Sequence, residues 1–195
     1  QNGFGTKIRQ IRYGIDCPEI TTPKEEIKAR FEITESRVFI SVGGFAPHKG
    51  MQELCEAFVK TDVKDTQLIL TGYDLNHGFP SIKHPRISYF NIIDPIHVYE
   101  LMSIADLLIW NSHIGSEGYG LVLLEAMAYG CPWAGTDQAG AKDLHATGFG
   151  GVVYTHNTDL ETILRHTMEP ESYYYPHFFS PWTVGKGKQD IIERT

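Results

Sequence analysis

Hydrophobic residues in this chain fall into two patterns, short unbroken runs and stripes spaced three or four residues apart. Unbroken runs predict buried strands, whereas spaced stripes predict helices with one apolar face. The two patterns alternate along the chain, which predicts an α/β fold with an open parallel sheet and helices on both faces. The predicted strands are 37–42, 67–71, 87–93, 105–110, 131–135 and 151–154, and the predicted helices are 22–31, 51–60, 94–105, 120–129 and 159–167.

Loops that contain glycine follow three of the predicted strands, at 43–49, 72–76 and 111–118. In a Rossmann-like open sheet, ligands bind beyond the carboxyl ends of the parallel strands. The three loops should therefore meet at one edge of the sheet and form a binding site. No internal repeat, low-complexity segment or interdomain linker interrupts the chain. Residues 1–195 are predicted to form one domain, with an aromatic-rich tail and a terminal helix at 169–195.

Two carboxylates lie on either side of the start of the helix predicted at 120–129, within the segment 111–132 that reads NSHIGSEGYGLVLLEAMAYGCP. Glu117 precedes the helix and Glu125 lies on it. The helix is expected to stop at Gly130, because glycine readily adopts the left-handed conformation that caps a helix. Its predicted buried face consists of Leu121, Leu124, Met127 and Ala128.

The spacing of Glu117 and Glu125 argues against a hydrolytic acid and base pair. Eight residues at about 1.5 Å each would separate them by roughly 12 Å along a helix axis, whereas a glycosidase pair needs about 5 to 10 Å. Between them, the N-terminus of the helix favours an anion, and Gly118 and Gly120 allow it to approach the backbone. A ligand with hydroxyl groups at both ends and phosphate in the middle fits this layout. A nucleotide diphosphate sugar is such a molecule.

Composition and charge restrict the class of protein. Hydrophobic residues make up 42% of the chain and charged residues 21%, which is ordinary for a globular domain. The net charge of −7 argues against a broad nucleic-acid surface, which would need a basic stripe. Three cysteines without metal-ligand spacing predict a reducing, cytoplasmic setting. No apolar run approaches the length of a membrane span, about 18 residues.

These motifs resemble the carboxy-terminal, donor-binding domain of the retaining GT-B glycosyltransferases of family 4. Glu117 and Glu125 match the family's E-x7-E motif, and GGFAPHKG at 43–50 matches its glycine-lysine loop. Residues 11–16, within the first 16 residues, are similar to the family's interdomain segment. The stretch 179–194 is similar to its terminal segment, which crosses back to the amino-terminal domain. The resemblance implies one half of a GT-B fold and the transfer of a hexose, as in polysaccharide biosynthesis.

The resemblance also implies a role for each site residue. Glu117 would contact the donor sugar as the catalytic residue, Glu125 would bind the ribose hydroxyls, and Lys49 would neutralise the phosphates of a UDP- or GDP-sugar. A helix dipole and a lysine would stabilise the leaving diphosphate, so neither a metal nor another cofactor is expected. The remaining donor-binding residues are Gly43 and Gly44 in the loop, Asn91 and Ile92 along the base, and Gly118, Tyr119, Gly120, Leu121 and Val122, whose backbone would hold the sugar and diphosphate.

Two departures from the family pattern affect the expected activity. The family usually has arginine after the first glycine of its loop, where this chain has Gly44. Losing one such donor can cost a factor of about 100 to 1000 in rate. The chain begins with Gln1 rather than Met, which suggests a fragment, a processed chain or a trimmed chain. The amino-terminal, acceptor-binding domain is expected to be absent from it, and peripheral membrane association would occur through that missing part. The alternative is a non-catalytic nucleotide-sugar-binding module; an epimerase on a related fold is disfavoured.

Several other candidate residues have ordinary explanations. Lys49 could be an exposed lysine at a helix start, and the loop is not an NTPase phosphate loop, because neither Ser nor Thr follows that lysine. A lone histidine such as His113 is more often structural or exposed than part of a site. Asp137 is more readily explained as a turn residue than as a sugar contact. The aromatic residues of the tail are expected to pack rather than to form a sugar platform.

Overall fold

A computed structural model describes residues 14–73, 80–91, 93–146, 151–155 and 157–166. Predictions about residues 11–13, Ile92 and the tail at 169–195 lie outside the described residues. Among those that are described, no helix is both long enough and apolar enough to cross a membrane.

The described residues form a six-stranded, fully parallel sheet with the strand order β3-β2-β1-β4-β5-β6. The strands are β1 Arg37–Val42, β2 Thr66–Gly72, β3 Ile87–Asn91, β4 Leu107–Trp110, β5 Trp133–Thr136 and β6 Val152–Tyr154. The helices are α1 Lys24–Arg30, α2 Met51–Thr61, α3 Pro95–Ile104, α4 Leu121–Ala128, α5 Ala139–Ala146 and α6 Asn157–His166, with a 3-10 turn at Pro47–Lys49. The predicted Rossmann-like fold is confirmed.

The strand order reverses between β1 and β4, because β1 pairs with β2 on one side and with β4 on the other. In an open parallel sheet, a crevice opens at this switch point, beyond the carboxyl ends of the two strands. The loops that leave β1 and β4 border that crevice and lead to α2 and α4, which lie on opposite faces of the sheet. These are the glycine-lysine loop at 43–50 and the first part of the carboxylate motif, at 111–118.

Helices cover both faces of the sheet, as the alternation predicted. Val38 and Ile40 face one hydrophobic cluster, whereas Phe39 faces the other, because successive strand residues point to opposite faces. Buried residues of α1, α3, α4 and α5 complete the first cluster, and those of α2 and α6 complete the second.

The structure corrects part of the predicted buried face of α4. Leu124 and Met127 pack against the first cluster and are partly buried, as predicted. Leu123 and Ala126, however, are fully buried, whereas Leu121 is 43% exposed and Ala128 is also exposed. Seven of the eight residues in LVLLEAMA are apolar, so periodicity cannot select the face that packs on the sheet. The docking of α4 against α3 and the neighbouring strands selects it instead.

A second correction concerns the region after β5. No helix was predicted between 138 and 151, but Ala139–Ala146 forms α5. Residue 140 of this helix is glycine because no side chain fits there: an added Cβ would stand 1.6 Å from the carbonyl oxygen of Tyr119. This glycine therefore marks a close approach between α5 and the loop before α4.

Candidate functional site

The two loops that border the switch point are hydrogen-bonded to each other. The side-chain amide of Asn111 donates to the carbonyl of Gly50 at 2.8 Å, and the His113 N–H donates to the carbonyl of His48 at 2.7 Å. Gly50 adopts a left-handed φ of +63°, and a Cβ there would stand 2.1 Å from the Asn111 carbonyl oxygen. Only glycine fits this position. This close approach and the two hydrogen bonds hold the loop of β1 against the loop of β4.

Within this loop pair, Lys49 and Glu117 form an ion pair, although they are 68 positions apart in sequence. Their side chains are 22% and 18% exposed, so both charges are largely withdrawn from solvent. The Ser112 hydroxyl donates to the same carboxylate oxygen of Glu117 at 3.2 Å. Two residues assigned to different parts of a ligand are therefore in direct contact with each other.

A buried polar group, which the sequence analysis missed, supports the loop of Glu117. The side-chain oxygen of Gln138 accepts a hydrogen bond from the Glu117 N–H at 3.1 Å, and its side-chain nitrogen donates to the Ser112 carbonyl at 3.0 Å. The Thr136 hydroxyl donates to that same carbonyl at 2.6 Å. One signal could have identified Gln138: it lies two residues after a buried strand, in a position like that of the other site loops.

Gly120 is the N-cap of α4, which is consistent with the predicted start of this helix. This residue has a φ of +78°, and a Cβ there would stand 2.8 Å from the ring of Trp110. A Cβ at Gly118, by contrast, would meet nothing within 4 Å. The first N–H groups of a helix have no acceptor within it and favour an anion. The open space at Gly118 therefore lies directly before an anion-favouring helix terminus.

Glu125 lies on α4 in surroundings different from those of Glu117. Burial raises the pKa of Glu125 above its ordinary value, and a hydrogen bond with Tyr99 partly opposes that rise. The Tyr99 ring stacks on Tyr129 with ring centres 5.2 Å apart, and the Tyr129 hydroxyl donates to the carbonyl of Pro18 at 2.8 Å. The two carboxylates therefore belong to separate polar groups, one containing a lysine and the other containing tyrosines.

Gly43, Gly44 and Asn91, three further residues assigned to donor binding, lie at the carboxyl ends of β1 and β3. Gly43 continues β1, with its N–H donating to Thr71 at 3.0 Å. A Cβ on Gly44 would stand 3.1 Å from two ring carbons of Tyr73, whose side chain is 49% exposed. An aromatic ring thus lies against the position where the family pattern has arginine. Asn91 is exposed at the carboxyl end of β3.

Other candidates have structural partners. His113 is about half exposed and contacts Glu53 at 3.2 Å. Asp137, which precedes α5 as a turn residue, pairs with Lys142 at 2.8 Å. Cys17, Cys55 and Cys131 are thiols, and burial raises the pKa of Cys55 to about 11. Within the described ranges no group of three or more His, Cys, Asp or Glu residues is placed to hold a metal; metal-independent chemistry stays a prediction.

Comparison with known proteins identifies relatives of this arrangement. The model of the family Glycosyl transferases group 1 matches residues 23–169. A curated relative, N-acetyl-alpha-D-glucosaminyl L-malate synthase of Bacillus anthracis, is 33% identical over 129 residues. That alignment covers 61% of this chain and 32% of the relative, so the chain spans about a third of that protein.

Solved structures share the fold. WaaG, a glycosyltransferase involved in lipopolysaccharide biosynthesis, has a TM-score of 0.65 at 24% identity, covering 77% of this chain and 43% of WaaG. Anabaena Alr3699/HepE in complex with UDP and glucose has a TM-score of 0.64 at 21% identity, with coverage of 77% and 44%. The C-terminal domain of the group 1 family protein LpcC from Francisella tularensis has a TM-score of 0.62 at 21% identity, with coverage of 74% and 82%.

Proposed function

Because the chain belongs to the family Glycosyl transferases group 1, we propose that it is the carboxy-terminal, donor-binding domain of a retaining, family 4 glycosyltransferase. It binds a UDP- or GDP-sugar at the switch point and presents it for transfer of a hexose to a glycan or lipid-linked acceptor. Anabaena Alr3699/HepE, which shares the fold, was solved with UDP and glucose and with UDP-glucose. That observation favours a nucleotide sugar as the ligand.

The observation that carries this proposal is the meeting of Lys49 and Glu117 before the N-terminus of α4. A cation and a helix terminus together suit a diphosphate, whereas a neighbouring carboxylate suits a hydroxylated sugar. In the proposed complex, Lys49 leaves Glu117 and contacts the phosphates. Glu117 then accepts hydrogen bonds from sugar hydroxyls.

The other assigned residues complete the binding of the donor. The backbone from Gly118 to Val122 contacts the sugar and the diphosphate, and Glu125 accepts hydrogen bonds from the ribose hydroxyls. Asn91, and Ile92 beyond it in the chain, lie along the base. As the bond between the sugar and the diphosphate breaks, negative charge grows on the leaving phosphate, and the lysine and the helix terminus stabilise it.

Transfer also requires an acceptor held against the donor. The chain covers 43% of WaaG and 44% of Alr3699/HepE, but 82% of the isolated C-terminal domain of LpcC. This difference supports a partner domain that precedes the present one and binds the acceptor. We place the protein in a reducing, cytoplasmic setting, which its thiols suit.

Titration with nucleotide sugars tests the proposal. Calorimetry with UDP-glucose, UDP-N-acetylglucosamine and GDP-mannose should detect binding of at least one of them, and Glu125→Ala should weaken it by about tenfold or more, as expected for a lost charge-assisted contact. A protein that binds none of the three, with Glu125→Ala behaving identically, would refute the proposal.

Gly44 favours a second candidate function, a non-catalytic nucleotide-sugar-binding module, because it leaves the site with one loop cation fewer than the family pattern. A sugar transfer assay distinguishes the two functions. Transfer by this chain together with its partner domain would exclude the module, whereas binding without transfer would favour it.

A further inference from the structure

The side chain of Gln138 is buried beneath the loop that carries Glu117. It is 4% exposed and makes three hydrogen bonds. Its oxygen accepts from the Glu117 N–H at 3.1 Å, and its nitrogen donates to the Ser112 carbonyl at 3.0 Å and to the Thr136 hydroxyl at 3.1 Å. One amide therefore connects the end of β5, the end of β4 and the backbone of Glu117.

An amide side chain of this length makes all three bonds, because its oxygen accepts from the Glu117 N–H while its nitrogen donates to the Ser112 carbonyl and to the Thr136 hydroxyl. A carboxylate at this position could not donate. An apolar side chain would leave the Glu117 N–H without this acceptor, which is unfavourable, whereas the Ser112 carbonyl would keep the hydrogen bond from Thr136. The identity of residue 138 thus controls how firmly the Glu117 backbone is held.

We propose that Gln138 is a positioning residue for Glu117, an inference that rests on the proposed function of the site. Gln138 holds the backbone N–H of Glu117 by a hydrogen bond, while the Ser112 hydroxyl and Lys49 contact its carboxylate. Gln138 does not touch the ligand. It sets the direction of the carboxylate and thereby the preference for a nucleotide sugar over the free nucleotide.

The chain contains a matched control in Gln67, a second buried glutamine, which is 3% exposed. Its oxygen accepts from the Thr34 N–H at 3.1 Å, and its nitrogen donates to the Glu32 carbonyl at 3.3 Å and to the Ser88 hydroxyl at 3.0 Å. The pattern of one backbone N–H and two oxygen acceptors is the same. Gln67 lies near the start of β2, away from the edge of the sheet that carries the site.

The test compares Gln138→Met with Gln67→Met, since methionine keeps the length of glutamine but loses its hydrogen bonds. Thermal unfolding first shows that both variants are folded. Calorimetry then measures separate Kd values for each nucleotide sugar and its free nucleotide, that is, UDP-glucose and UDP, and GDP-mannose and GDP. For the pair that the wild type binds, Gln138→Met should weaken the nucleotide sugar about tenfold while the free nucleotide stays within about twofold. Gln67→Met should leave both unchanged.

A second variant and a ligand-free measurement complete the experiment. Gln138→Asn keeps the amide but falls short of Glu117, so it should show the same loss. Amide hydrogen exchange at Glu117 should accelerate about tenfold in Gln138→Met and stay constant in Gln67→Met. Unchanged exchange and an unchanged ratio of the two Kd values would overturn the inference while leaving the proposed function intact. Failure of the wild type to bind any probe would refute the proposed function instead, and the exchange rates would still decide the role of Gln138.

Discussion

Replacing Glu117 by glutamine should strengthen binding of a free nucleotide diphosphate and weaken binding of the corresponding nucleotide sugar. Lys49 is paired with Glu117. A diphosphate must therefore displace the carboxylate before it can use the lysine. Glu117→Gln removes the competing charge but also removes the proposed acceptor for the sugar hydroxyls. The two ligands should therefore respond in opposite directions.

The size of the effect follows from the surroundings of the pair. Two unit charges 4 Å apart attract by about 4 kcal/mol at an effective dielectric constant of about 20. Desolvation and side-chain ordering offset most of this attraction, and exposed pairs retain only about 0.2 to 1 kcal/mol. Both side chains here are about a fifth exposed, which places the pair near the upper end, at about 1 kcal/mol. Since 1.4 kcal/mol corresponds to about tenfold in affinity, the Kd for UDP should fall about fivefold.

The assay is calorimetric titration of UDP and UDP-glucose at about pH 8, above the second phosphate pKa of about 6. Glu161→Gln is the control, because Glu161 pairs with Lys60 between α6 and α2 and its loss changes the net charge equally. Glu117→Gln should bind UDP about fivefold more tightly than the control variant does. If the Kd for UDP stays constant or rises in Glu117→Gln, the pair does not compete with the diphosphate, and the reasoning is refuted.

Three further variants test separate parts of the site. Burial raises the pKa of Glu125, and only its ionised carboxylate is the proposed acceptor. As the solution is acidified, the affinity for UDP-glucose should therefore begin to fall at a pH above the ordinary pKa of glutamate. Glu125→Gln should abolish this pH dependence in calorimetry. Gly140→Ala should weaken UDP-glucose binding by more than about tenfold, because its Cβ would stand 1.6 Å from the Tyr119 carbonyl oxygen and displace the loop before α4; unchanged affinity would contradict this contact. Gly44→Arg should strengthen UDP binding about tenfold, since the exposed Tyr73 ring can yield to the new side chain, and an unchanged Kd would show that residue 44 does not face the phosphates.

Local sequence patterns predicted much of the fold. β1 was predicted with its observed bounds, because RVFISV is an apolar run that ends at glycine. The face of α4 could not be predicted, since the helix is apolar on nearly every side. Nor was α5 predicted, because glycine is unfavourable inside a helix, and the reason for Gly140 is a close tertiary approach to Tyr119.

The candidate site was predictable only where each residue follows a strand. That rule placed Lys49 and Glu117 at one edge of the sheet, and the structure brings them into contact. The rule did not predict the ion pair between them, because positions in the sequence do not show where the two side chains point. The support that Gln138 gives to Glu117 across 21 positions depends on the docking of β5 beside β4, which no local pattern encodes.

The contact between Tyr129 and Pro18 has a consequence for where the folding unit begins. The family match starts at residue 23, yet the Tyr129 hydroxyl donates to the Pro18 carbonyl, and Ile20 packs against the first hydrophobic cluster. A chain cut at the family boundary would lose both contacts. The folded domain therefore begins before the segment that matches the family model, and a version made for expression should start before residue 17.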